Sequence, residues 1–297
     1  MSTVIGRGAA LLVAMVLALG LAACGDDDGT GEGDGTTSTT ADTTSTTSTT
    51  EAAEQEAEDP EGEAVPVGVY FVRDEKVAAA RADVVPPATA RGAIEALLGG
   101  PAGVQGAEGM TSEIPDGTEL LGLSIEDGTA VVDLSGEFTS GGGSLSMQLR
   151  AAQVVFTLAQ FDTVDEVTFH IDGEEVDALG GEGVPAAGVD RTDFGGVTPL
   201  VLVTSPLPGE EVGSRLVVEG ISNTFEANVL YEVVGAGGTT LAEGFTTASA
   251  GTGTWGDFRV EVELEGGEPG PVTLVAYQEN MEDGGRQDVY EVPLQLR

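Results

Sequence analysis

The residues able to do chemistry are few: one cysteine, one histidine, one tryptophan and a surplus of carboxylates. Cys24 closes the stretch Leu21-Ala22-Ala23-Cys24, behind Arg7 and an eleven-residue apolar run from Ala9 to Leu19. That run is too short to span a bilayer as a helix but matches the apolar region of a secretory signal. The chain turns polar at once after it, at Gly25-Asp26-Asp27-Asp28. A lone thiol forms no disulfide within the chain.

His170 alternates with Phe169 and Ile171, which puts it on the opposite face of a strand from them. A triad or a histidine-based zinc site needs suitably placed partners as well. It reads as a structural or surface histidine. The carboxylates could supply an acid–base pair for glycoside hydrolysis. No pair is set among aromatics, however, and one Trp with four Tyr is thin for stacking on sugars. Gly251-Thr252-Gly253-Thr254-Trp255-Gly256 satisfies G-x-G-x-x-G, but a dinucleotide site needs that loop to open a helix. Phe258, Val260, Val262 and Leu264 alternate as a strand, so the motif reads as a β-hairpin loop. The loop from Gln278 to Asp288 carries four acids and reads as solvated rather than as a calcium site; so does the acidic run from Asp26 to Asp34. Trp255 reads as a core or loop-packing residue, with a contact to a protein partner as the alternative. No catalytic residue, cofactor or metal is expected, and the chain is not expected to be an enzyme.

Charge narrows the partners. Against 51 acidic residues stand 11 basic ones, and the excess is not confined to a tail. Residues 65–194 hold 22 acids to 6 bases, and residues 195–297 hold 16 to 4. Such a surface repels nucleic acid and anionic headgroups.

The elements that must position these residues follow in order. Residues 1–23 read as a signal, and residues 24–64 as a lipidated, disordered linker. Thirteen of the fifteen residues 36–50 are Ser or Thr, an acidic run follows, and no apolar face offsets the entropy of ordering. A coil of that length spans roughly 35 Å. Residues 65–194 read as a small α+β domain with its helices on one face of a sheet. Val67, Val69 and Phe71 alternate as a half-buried strand, and the chain to Pro86-Pro87 reads as a loop. Thr89 to Leu98 has a helical apolar face (Ala90, Ile94, Leu97, Leu98), stopped by Gly99-Gly100-Pro101. A hairpin turns at Asp127-Gly128. A second helix, capped by Ser144 or Ser146, carries a face through Leu145, Leu149, Ala152, Val155, Phe156 and Ala159. Val167, Phe169 and Ile171 form a last strand, with a short one near Val176. Residues 199–297 hold about seven short strands separated by Gly-rich turns, the pattern of a β-sandwich.

Three resemblances join these readings. Leu21-Ala22-Ala23-Cys24 resembles a bacterial lipobox, where a diacylglyceryl group is placed on the cysteine and the preceding peptide removed. The second covers about residues 65–194 and resembles the GerMN domain of spore-germination and sporulation lipoproteins. It rests on Val69-Tyr70-Phe71, Ala96-Leu97-Leu98-Gly99-Gly100-Pro101, Ile114-Pro115-x-Gly117-Thr118, Val131-Val132-Asp133-Leu134-Ser135, the stretch Ser146 to Leu158, and Ile171-Asp172-Gly173. It implies a ring-building-like α+β fold used for assembly. The third rests on Ser205-Pro206-x-Pro208-Gly209, Phe225-Glu226-Ala227, Glu243-Gly244-Phe245 and Gly251 to Gly256. These are similar to the immunoglobulin-like domain of bacterial spore germination proteins. Together they imply a lipid-anchored scaffold outside the cell membrane, held by Cys24 and contacting envelope proteins, with Trp255 a contact only under the alternative reading given above. Binding of cell-wall glycan is the alternative.

Overall fold

A computed structural model describes residues 62–181 and 183–297. The signal, Cys24 and the linker as far as Glu61 lie outside the described residues, and so do the expectations placed on them.

The chain opens with two antiparallel strands, β1 (Val65–Arg73) and β2 (Lys76–Val84), paired in register from Val65↔Val84 to Arg73↔Lys76. Asp74 and Glu75 both take positive φ, as a two-residue hairpin turn with the twist of its strands requires. The expected loop after Arg73 is therefore a strand. Val77, Ala78, Ala79 and Ala80 are all buried, so β2 shows no alternation, and alanine is a poor strand former. Strand β1 is likewise buried on both faces from Val67 to Val72 rather than half-buried.

Helix α1 (Thr89–Leu98) buries Ala93, Ile94 and Leu97. It ends as its sequence demands: the N–H of Gly99 donates to Glu95 O and that of Gly100, at φ 77°, to Leu97 O. Strands β3 (Leu120–Glu126) and β4 (Thr129–Leu134) form the hairpin at Asp127-Gly128. The chain then crosses through α2 (Ser144–Leu158) to β5 (Glu166–Ile171), which lies parallel to β4. Short β6 (Glu174–Glu175) completes that four-stranded sheet, and β7 (Ala178–Leu179) pairs with β8 (Val184–Pro185).

Helix α2 departs from expectation twice. Its N-cap is Gly143, with no side-chain cap bond. Ser146 lies inside the helix, where its hydroxyl donates to Glu113 Oε2 at 2.6 Å. Nor does α2 bury a single stripe: Met147 and every residue from Leu149 to Leu158 are buried, because β1, β2, α1, β5, β8 and the turn at 191–197 all touch it. Leu145, assigned to the buried face, is exposed. The polar residues this encloses find partners, apart from Arg150 Nε. Arg150 donates to the carbonyls of Phe138, Ser140 and Gly141, fixing the loop before the helix. Gln153 donates to Tyr70 O and accepts from Glu113 N, tying α2 to β1.

A 3₁₀ segment, Arg191–Val197, leads on; Asp190 and Asp193 close a capping box at its start. Seven strands follow where seven were expected: β9 (Val201–Ser205), β11 (Arg215–Ser222), β12 (Asn228–Gly235), β13 (Thr240–Thr247), β14 (Gly256–Glu263), β15 (Gly270–Glu279) and β16 (Arg286–Leu296). A two-residue strand, β10 (Glu211–Val212), joins them. They form two sheets, ordered β14-β11-β9 and β10-β16-β15-β12-β13. Tyr290, Val292, Leu294 and Leu296 alternate inward along β16 toward the core, as a sandwich with wet outer faces requires. The architecture is thus α+β followed by an all-β immunoglobulin-like sandwich. Among the described residues, no helix is long and apolar enough to cross a membrane.

Candidate interaction site at the domain junction

The two domains share one continuous apolar core cluster, and the described residues form one compact unit. The hairpin β1–β2 makes much of the junction, because its second face needs a cover that the first domain does not supply. Strand β2 contacts β9 of the sandwich. The buried N–H of Ala79 donates to the hydroxyl of Tyr290 at 2.9 Å, while Lys76 Nζ holds the segment that leads into the sandwich by donating to Gly196 O at 2.6 Å. A β-carbon on Gly106 would fall 2.2 Å from Pro208 Cβ, so the loop after α1 also meets the sandwich at contact distance.

Trp255 lies in this junction. The loop that carries it joins β13 of the five-stranded sheet to β14 of the three-stranded one. It therefore crosses between sheets and is not the expected hairpin loop. It does enter a strand and opens no helix, so the helix that a dinucleotide motif requires is missing here. Glycine is needed where the loop packs on itself: a β-carbon on Gly256 would lie 2.2 Å from Ala250 N. Bonds from Thr252 N to Thr224 O, Gly253 N to Asn223 Oδ1 and Asp257 N to Ser249 Oγ hold the loop to its neighbours. Trp255 is half-buried, and its indole N–H edge lies over Gly195 of the first domain's 3₁₀ segment. It is both a packing residue and an interface residue, the interface being within the chain.

A cleft of about 270 Å³ opens beside it, lined by Trp255, Asp165, Asp190, Arg191, Ile221 and Asp257 among others. A second, of about 520 Å³, lies between the β1–β2 turn, the 195–200 segment and β16, with Arg73, Lys76 and Tyr290 on its wall. Sequence reading missed both, since they exist only where two domains meet.

A clean test of the Trp255 contact is available. Gly195 has ordinary φ, but a β-carbon there would sit 2.7 Å from Trp255 Nε1. Gly195→Ala is expected to push the sole indole outward, shift its emission to longer wavelength and cost about 1 kcal/mol or more. Unchanged emission would mean that the indole does not rest there.

The remaining candidates are accounted for locally. His170 is half-buried, paired in register with Asp133 on one side and Glu175 on the other. In the 278–288 loop, Asp283 accepts from Gly285 N and Asp288 from Gln278 Nε2, which is turn chemistry. No group of three metal-ligating side chains is assembled among the described residues.

Comparison with known proteins bears on the architecture. Residues 36–177 match the family model described as sporulation and spore germination, and residues 200–285 match the immunoglobulin-like domain of bacterial spore germination. In chain order, a segment similar to the GerMN type is thus followed by one similar to the germination-type immunoglobulin-like domain. The first GerMN domain of the sporulation protein GerM from Bacillus subtilis is 28% identical over 43% of this chain and 98% of that one, with a TM-score of 0.36. The tandem GerMN domains of the same protein are 22% identical over 79% of this chain and 61% of that one, at 0.40. A putative lipoprotein from Clostridium perfringens is 23% identical over 40% and 82%, at 0.29. No curated protein matches the chain. Both matched families are of sporulation and spore germination, and neither is a known enzyme family.

Proposed function

We propose that this protein is a lipid-anchored, non-enzymatic scaffold of a sporulation- or germination-related envelope assembly. The lipid on Cys24 would hold it to the outer face of the cell membrane, and the linker would set its reach. Two or three acyl chains give firm anchoring, where one is marginal. The observation that carries the reading is the fused junction. The hairpin β1–β2 is buried between its own helices and the sandwich, so the two domains offer partners one fixed surface rather than two independent modules.

Crosslinking and mass spectrometry on intact cells, wild type against Cys24→Ala, tests it. A set of envelope-protein neighbours present with the anchor and lost without it is the expected result. Capture of wall fragments alone would replace the scaffold with a glycan-binding module. Turnover of a wall substrate by the purified full chain would remove the non-enzymatic part.

A further inference from the structure

We propose that the cleft beside Trp255 receives a lysine or arginine side chain from a protein partner. The inference rests on the scaffold reading and names the chemistry of one of its contacts. Three aspartates (Asp165, Asp190, Asp257) and one arginine (Arg191) line the cleft with Trp255, one carboxylate oxygen of Asp165 lying against Gly128. Two of those four groups are occupied within the chain: Asp190 Oδ1 accepts from Thr192 N at 2.6 Å, and Arg191 Nη2 donates to Ala159 O at 2.7 Å. Asp165 and Asp257 have neither a hydrogen-bond nor an ion-pair partner for their carboxylates among the described residues.

A cleft lined by an indole and two uncommitted aspartates favours a cation, because carboxylate charge attracts it and a ring face, if presented to it, would do the same. The volume, about 270 Å³, suits one long side chain and falls below the usual range for small-molecule pockets. Anionic guests are disfavoured by the net negative lining, and a neutral guest gains nothing from it. The site is also held in place before any guest arrives. The Trp255 loop is bonded to Asn223 and Thr224, the indole is seated on Gly195, and Asp165 stands at the start of β5 with its N–H on Gly128 O. Preorganisation of this kind lowers the entropic cost of binding. Trp at a domain seam, flanked by charge, is also the composition that interface hot spots favour.

The sole tryptophan makes the site its own reporter. The full chain is titrated with N-acetyl-lysine methylamide and N-acetyl-arginine methylamide while tryptophan emission is followed. N-acetyl-norleucine methylamide serves as the neutral near-isostere. Expected are a saturable emission change in the millimolar range for the cations and at least tenfold weaker binding of norleucine. A further loss of tenfold or more is expected in Asp165→Asn/Asp257→Asn. Both positions are exposed and both changes isosteric, so folding should survive, which circular dichroism checks. Glu261→Gln/Glu265→Gln, on the sandwich away from the cleft, should bind as wild type does. Equal response to norleucine, equal loss in the control pair or no saturable change overturns the assignment. The in-cell crosslinks separate the two readings. If the Asp165→Asn/Asp257→Asn protein keeps every neighbour, the cleft is wrongly assigned and the scaffold stands. If the wild type has no protein neighbours, the scaffold fails whatever the titration shows.

Discussion

Phe156→Ala is expected to lower the unfolding free energy by about 3–5 kcal/mol, the range for emptying a large aromatic site in a packed core. Phe156 is 1% exposed and lies on α2, the helix buried on every side. Its ring meets Tyr70 of β1 at 5.4 Å between centroids, so the deletion also removes an aromatic pair. Domains of this kind hold only about 5–15 kcal/mol in total, so the variant should lose about a fifth of its stability at the least. Because the core cluster runs through both domains, the loss should not be confined to the first one. Urea unfolding followed by far-ultraviolet circular dichroism and by Trp255 emission is the measurement. Both probes should report the same lowered midpoint, although Trp255 lies in the sandwich. A midpoint shift in only one of them would show that the domains unfold separately. The contrast is Phe245→Ala, at a ring 68% exposed, where a change within about 0.5 kcal/mol is expected.

How far the sequence reaches is decided by what covers each element. All seven principal strands of the sandwich were legible, most because they have one wet face and one dry one, nearly unbroken along β16; β9 and β15 bury runs of consecutive residues and were legible from their apolar runs and flanking turns. Helix α1 was legible to the residue for the same reason, with glycines marking its end. Strand β2 was not. Alternation is a signal of being half in water, and Val77 to Ala80 are in water on neither side. The partner that buries the second face lies two hundred residues away, at Tyr290, and no local pattern encodes it. Helix α2 failed in the same manner: Arg150 and Gln153 look like the polar side of an amphipathic helix, yet both are buried and donate to backbone carbonyls and serine hydroxyls. Trp255 could be singled out as unusual by type alone. Its role could not be read, since the surface it packs on belongs to Gly195, a residue with no side chain to give a pattern. The junction cleft is invisible to any one-domain reading.

The junction also gives the protein an alkaline limit. Burial raises the pKa of Tyr290 to about 12, against weaker lowering by its bond to Ala79 and by Arg73. Burial raises Tyr70 as well. A phenol raised in the folded state keeps its proton there after the unfolded chain has lost it. The unfolded state therefore binds fewer protons above the ordinary tyrosine value of about 10, and stability falls as pH rises. Below about pH 10 both forms are protonated and the contribution is complete; for Tyr290 it is lost progressively between about 10 and 12. A shift from 10.0 to about 12 corresponds to about 3 kcal/mol at the top of that window. Urea midpoints measured from pH 8 to 11.5 should hold steady and then drop.

Tyr290→Phe separates the phenol's two effects. At pH 8 it should cost about 1–3 kcal/mol, because the buried N–H of Ala79 loses its acceptor. Above pH 10 the variant's midpoint should fall less steeply than the wild type's, Tyr70 supplying what slope remains. The wild-type and variant curves should therefore converge as pH rises, the hydroxyl that joins the domains at neutral pH being the group whose ionisation parts them. Parallel curves would place the alkaline loss elsewhere, and an unchanged midpoint at pH 8 would mean that the Ala79 bond does not hold the domains together.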